Sequence, residues 1–200
     1  MCGRSVTATF KKLLILFFVL CSLCCTVNKQ PNTQYSDFHS VKMVIDVSSL
    51  SPENKRFTYV AADSWRVHTS NKFTWAPKVF TCDSPADEED VVSNVLYVKV
   101  FEAKSTDDWV VRWDEINYPK NLYGMTFFEG DSPCGVSIYV VFDRLMGETM
   151  KKVIIMHEIG HAMNLDHLSS ERAIMSEYYT PSVLFLTKDD LYEFCKVWFC

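Results

Sequence analysis

The sequence predicts an α/β (α+β) domain built around a mostly parallel, five-stranded sheet. Three observations carry that reading. The elements run strand, helix, four strands, helix, irregular loop, helix, and a strand–helix–strand opening implies a crossover between parallel strands. The chain is 200 residues long, enough for one domain with a sizeable core. It is 48% apolar and 22% charged, with 6 Gly and 7 Pro. That composition excludes a disordered chain, a collagen-like fibre and a multi-pass membrane protein.

The first 26 residues read as an address. Arg4, Lys11 and Lys12 precede an apolar run over residues 13–25. Such a run is shorter than the roughly 18 residues a bilayer span needs, so a cleaved signal peptide is expected, with Ser22 and Cys24 as its −3/−1 pair. The alternative is an uncleaved anchor at residues 13–27 with acylated cysteines, the one route by which a membrane enters. Secretion follows from the first reading. Residues 27–40 form a polar leader, and residues 41–200 form the domain.

Residues 41–47 are apolar and β-branched, which suits a strand. Ser51-Pro52 is an N-cap followed by Pro at the first helical position. Phe57, Val60, Ala61, Ser64 and Trp65 then recur at helical spacing to about residue 67. Residues 73–81, 94–101, 122–128 and 136–142 read as strands, the last two separated by the turn-forming residues 129–135. Residues 83–90 are an acidic loop, read as a solvated turn; calcium there is conceivable but unsupported. Residues 103–120 are a long connection carrying Trp109 and Trp113. Helices are expected at 148–163 and from Thr187 onward. Asp190 completes a capping box, and Leu191, Phe194, Cys195 and Trp198 line the apolar face of that last helix.

Net charge is −5. From residue 26 onward there are 17 basic and 25 acidic side chains, a poor surface for phosphate contacts, so no nucleic-acid partner is expected. In an exported chain Cys82, Cys134, Cys195 and Cys200 suggest disulfides. Three pairings exist. Cys82–Cys134 with Cys195–Cys200 is mildly favoured because the latter two are close in the chain; buried free thiols are the other reading.

The chemistry sits at residues 157–167. His157 and His161 are four apart, about 400° of helical rotation, so both imidazoles leave one face. Each can reach one zinc ion at about 2.0–2.1 Å. Glu158, about 100° round the helix, flanks the metal where a general base belongs. Asn164 tolerates the left-handed conformation that ends a helix, which lets His167 return to the metal. Three neutral imidazoles leave a fourth position for water, the arrangement of a catalytic zinc.

His157-Glu-Ile-Gly-His-Ala-Met-Asn-Leu-Asp-His167, followed by Ala173-Ile-Met-Ser176, resembles a metzincin metallopeptidase with its Met-turn. It is most similar to the matrixins, the matrix metalloproteinases. Leu186-Thr-Lys-Asp-Asp-Leu191 and Trp65 resemble matrixin positions as well. The resemblance covers roughly residues 41–198 and is strongest from 153. It implies a zincin fold: a twisted five-stranded sheet with an antiparallel edge strand, two main helices including the active-site helix, a Met-turn and a C-terminal helix. It implies a secreted zinc endopeptidase with one catalytic Zn2+ on His157, His161 and His167, and Glu158 as base. A zinc-bearing domain that binds protein without turnover is the alternative. Met175 would pack beneath the metal. Residues 122–128 would be the edge that pairs with an extended protein or peptide substrate, bringing Leu122, Tyr123 and Gly124 to it. Tyr178 or Tyr179 would wall the pocket for the residue after the scissile bond. The departures are Asn164 in the family's Gly position, Leu168 after the third His, and no stretch matching the prodomain. Pro133-Cys-Gly-Val136 echoes the prodomain's cysteine switch, with a disulfide or buried thiol as its default reading.

Overall fold

A computed structural model of the protein describes residues 41–77, 95–103, 123–128, 135–145, 147–198 and 200. The expected signal peptide and leader, the acidic loop, Cys82, Cys134, Trp109, Trp113 and Leu122 lie outside the described residues. The strands of the sheet are β1 (Val41–Asp46), β2 (Phe73–Pro77), β3 (Val95–Glu102), β4 (Gly124–Phe128) and β5 (Val136–Val140). Their spatial order is β2-β1-β3-β5-β4. The β1–β2, β1–β3 and β3–β5 pairs are parallel, with Val41 opposite Phe73, Lys42 opposite Val95 and Val98 opposite Val136. Only β4 runs antiparallel, placing Gly124 opposite Val140 at the sheet edge.

Helix α1 (Pro52–His68) links β1 to β2. Ser51 is extended and its hydroxyl accepts from Asn54 N at 3.3 Å, with Pro52 opening the helix. The buried face differs from the expected one. It comprises Asn54, Phe57, Thr58, Ala61, Ala62 and Trp65, whereas Val60 is 44% exposed. The stripe is centred one position further round, so Val60 falls at its margin and Ser64 bonds back to the Val60 carbonyl at 2.9 Å. Thr69 then ties the helix end to β2, receiving Phe73 N–H on its hydroxyl at 3.1 Å.

Two strands end earlier than the pattern suggested. After Asp46 the chain turns, because the Asp46 carboxylate accepts from Ser48 N at 2.8 Å. After Val140 it enters a short 3-10 turn at Phe142–Arg144. Helix α2 (Gly147–Ala162) follows, and every residue from Val153 to Ala162 is buried. Helix α3 (Lys188–Trp198) starts just after Thr187, whose backbone N–H and hydroxyl both donate to Asp190, at 2.7 and 2.8 Å. A disulfide joins Cys195 to Cys200 at its end. Among the described residues no helix is long and apolar enough to cross a membrane.

The core lies between the sheet and α1–α2, with Met43, Ile45, Val98, Val100, Ile138 and Ile155 fully enclosed. Trp65 crosses from α1 into it and donates from Nε1 to the Met156 carbonyl at 2.9 Å. That bond fixes α2 one residue before its first functional histidine. Truncating this side chain removes a large buried ring and leaves a carbonyl without its donor. Trp65→Ala is expected to cost about 3–5 kcal/mol in urea unfolding, and Trp65→Phe about 1–3 kcal/mol.

Candidate metal centre

Helix α2 carries His157 and His161 on one face, as their spacing requires. The helix then stops in a Schellman motif. Asn164 adopts φ 64°; its N–H bonds His161 O at 2.8 Å, and Leu165 N–H bonds Gly160 O at 3.1 Å. The turn has a second consequence. It aims the Leu165 carbonyl back at His161, whose Nδ1 lies 2.8 Å away. His157 Nδ1 lies 2.7 Å from the Ile174 carbonyl. Beyond the turn the chain brings in His167, and Leu168 N–H bonds Met175 O at 2.8 Å, pinning the returning segment to the Met-turn.

The three Nε2 atoms converge: 2.9 Å between His157 and His161, 3.1 Å between His161 and His167, and 3.3 Å between His157 and His167. The carbonyl partners assign the tautomers. A carbonyl only accepts, so Nδ1 of His157 and of His161 carries the proton and Nε2 carries the lone pair. Lone pairs that close repel one another unless a cation lies among them. The donor set therefore fits zinc in chemistry and spacing. The three histidines are the one group of at least three His, Cys, Asp or Glu able to hold a metal among the described residues.

Electrostatics agree. Burial is the main force pushing His157 down to about 4, His167 adds to it, and the Ile174 carbonyl partly offsets it. His161 is held well below its usual value by burial, then by its two neighbours. His167 is lowered by burial against the opposing pull of Glu177 and Asp166. All three are neutral at pH 7, the state a metal requires.

Met175 is fully buried, with its sulfur packed against Gly160 of α2. A Cβ at position 160 would collide with that sulfur and come within 3.2 Å of Trp65 Cζ2. Only glycine lets the Met-turn sit this close. Asp190, fully buried, accepts from Ile174 N at 3.0 Å and Met175 N at 2.8 Å while also capping α3. The sequence marked Asp190 as a cap but gave no sign of this second duty. Gly160 carried no signal beyond its place between the two histidines.

Glu158 is fully buried beside the metal cluster and outside it, with its carboxylate between α2 and β4. Tyr123, Gly124, Tyr178 and Tyr179 line one pocket together with His157, Val153, Ile154, Ala173 and Val183.

Sheet, buried helix and three convergent imidazoles are the architecture of a metallopeptidase. The family model for matrixins matches residues 47–198, and the chain belongs to that zinc-dependent family. No curated protein sequence matches it. Among solved structures, myroilysin is 11% identical, with 89% of this chain and 91% of that one covered and a TM-score of 0.51; this likeness shows the fold. Metalloproteinase-II from Bacteroides fragilis is 11% identical with a TM-score of 0.47. The match takes in 86% of this chain and 56% of that one, so this chain spans little more than half that protein's length. Archaemetzincin from Methanopyrus kandleri is 10% identical over 82% of this chain and 98% of that one, with a TM-score of 0.46.

Two outcomes follow for the metal. Purified protein is expected to hold one zinc per chain by elemental analysis, and His157→Ala with His161→Ala to hold none; a reproducible ratio near two contradicts the single site. Asn164→Ala places an alanine in the left-handed region at a cost of roughly 1–2 kcal/mol. Its zinc affinity in chelator competition is expected to fall about 10-fold, while Asn164→Gly retains it.

Proposed function

We propose that this chain is a secreted zinc endopeptidase that cleaves protein or peptide substrates lying extended along β4. The observation that carries the reading is the convergence of three Nε2 lone pairs beside an open pocket, with a carboxylate next along the same helix. Membership of the matrixin family supports it.

Zinc, when bound, supplies Lewis-acid activation of a water molecule and of the scissile carbonyl. The chain's own residues do the rest. His157, His161 and His167 hold the ion in one orientation, because carbonyls fix two of the rings. As water adds to the carbonyl carbon, Glu158 receives its proton. The carbon–nitrogen bond then breaks as Glu158 passes that proton to the departing nitrogen, leaving a carboxylate and an amine. The edge position of β4 suits a substrate that adds as a further strand. The pocket beside His157 takes the side chain after the cleaved bond. The Val153, Ile154, Ala173, Val183 and tyrosine side chains that line it favour an apolar side chain there.

Glu158→Ala is expected to keep its zinc and to lose about 10²–10⁴-fold in turnover of an unfolded protein substrate, and a chelator to abolish wild-type turnover. Near-native proteolysis by the zinc-loaded variant contradicts the mechanism. A wild-type protein that binds zinc and cleaves nothing in a peptide-library digest points instead to a non-catalytic binding domain. For export, N-terminal sequencing of protein from a eukaryotic secretion host is expected to start near residues 25–27; an intact Met1 contradicts a cleaved signal peptide.

A further inference from the structure

Two residues of β4 face helix α2 at positions that share one side of the strand, Gly124 and Thr126. Both meet the same carboxylate. Thr126 is 1% exposed and its hydroxyl lies 2.7 Å from Glu158 Oε2. The same hydroxyl lies 3.0 Å from the Glu158 carbonyl. It holds one proton and both neighbours are acceptors, and the shorter contact is to the charged group, where a hydrogen bond is strongest. On the other side, a Cβ at position 124 would sit 2.5 Å from Glu158 Oε1 and 2.9 Å from its Cγ and Cδ. Glycine is therefore required for space: any side chain there would push the carboxylate away.

We propose that Gly124 and Thr126 form a seat on the edge strand that positions the Glu158 carboxylate, Thr126 by donating to Oε2 and Gly124 by leaving room for Oε1. Thr126 is thus a positioning residue. The proposal rests on the reading of Glu158 as the base. Oε1 is the oxygen next to Gly124, and Gly124 lines the pocket together with His157. Oε2 is held by Thr126, and Oε1 lies on the Gly124 side. The Thr126 hydrogen bond and the close fit at Gly124 together restrict the carboxylate's terminal torsion, whose own preference is broad. Thr126 is 1% exposed and touches the Glu158 carboxylate, so it acts on the chemical step through that group. The seat also joins the strand on which substrate is proposed to lie to the group that moves the proton, so the base is held by the same element that receives the substrate.

The test compares Thr126→Val, Thr126→Ser, Gly124→Ala and Glu158→Gln in zinc-loaded protein, with kcat and KM measured on a peptide substrate and zinc content on each sample. Thr126→Val keeps the shape and removes the donor; its kcat is expected to fall about 10–100-fold with KM and zinc content unchanged. Thr126→Ser restores the hydroxyl and is expected to recover kcat to within a few-fold of wild type. Gly124→Ala is expected to lower kcat at least as much as Thr126→Val. Should Thr126→Val fail to fold, Thr126→Ser and Gly124→Ala carry the test: a normal kcat for Gly124→Ala, or loss in Thr126→Ser equal to that in Gly124→Ala, overturns the seat. A folded Thr126→Val with wild-type kcat overturns it also, provided Glu158→Gln is inactive. A fully active Glu158→Gln overturns the base itself, and the seat with it.

Discussion

Two hydrogen bonds from imidazole Nδ1 to backbone carbonyls govern the site. The Ile174 carbonyl fixes His157 and the Leu165 carbonyl fixes His161. Each bond sets a tautomer and a ring angle together, and so directs an Nε2 lone pair into a space that His167 shares. Ligand identity alone does not produce that geometry. The helix places two rings on one side, but a ring free to spin about its outer torsion presents either nitrogen. What makes these imidazoles a metal site is that both carbonyls belong to segments whose own positions are fixed.

Those positions depend on a short series of contacts. Asn164 ends α2 at a positive φ, and the Schellman bonds leave the Leu165 carbonyl facing His161. Ile174 belongs to the Met-turn, which Asp190 holds from α3 through two backbone N–H groups. Trp198, from the same helix, donates to the Met163 carbonyl at 3.0 Å and so braces the end of α2 directly. Gly160 lets Met175 approach α2 closely, and Trp65 anchors that helix from α1. The C-terminal helix therefore supports the metal centre without lending it a ligand, and the Cys195–Cys200 disulfide closes that helix.

Much of this was legible in the sequence, and the reason is local. Helical periodicity put His157 and His161 on one face, and the tolerance of Asn for the left-handed region identified Asn164 as the stop. Ser51-Pro52 and Thr187 with Asp190 marked two helix starts for the same reason: caps act within three residues. The remainder concerned partners distant in the chain. Nothing near Thr126 announces that it meets Glu158, 32 residues on. Asp190 reads as a simple cap until the Met-turn is folded onto it. Periodicity gives the spacing of the α1 stripe but not its centre, which is why Val60 reads as buried in the sequence and is exposed in the fold. The strand ends at Asp46 and Val140 were set by a side-chain-to-backbone bond and a 3-10 turn, neither of which interrupts the apolar pattern.

The central claim is that three imidazole nitrogens, oriented by their own carbonyl partners, hold a single zinc with room for one further ligand. X-ray absorption at the zinc edge of the purified protein tests it most directly. Three nitrogen scatterers at about 2.0–2.1 Å with one light ligand completing a four-coordinate shell is the predicted result. A sulfur scatterer near 2.3 Å, or a fourth imidazole closing the shell, would contradict it.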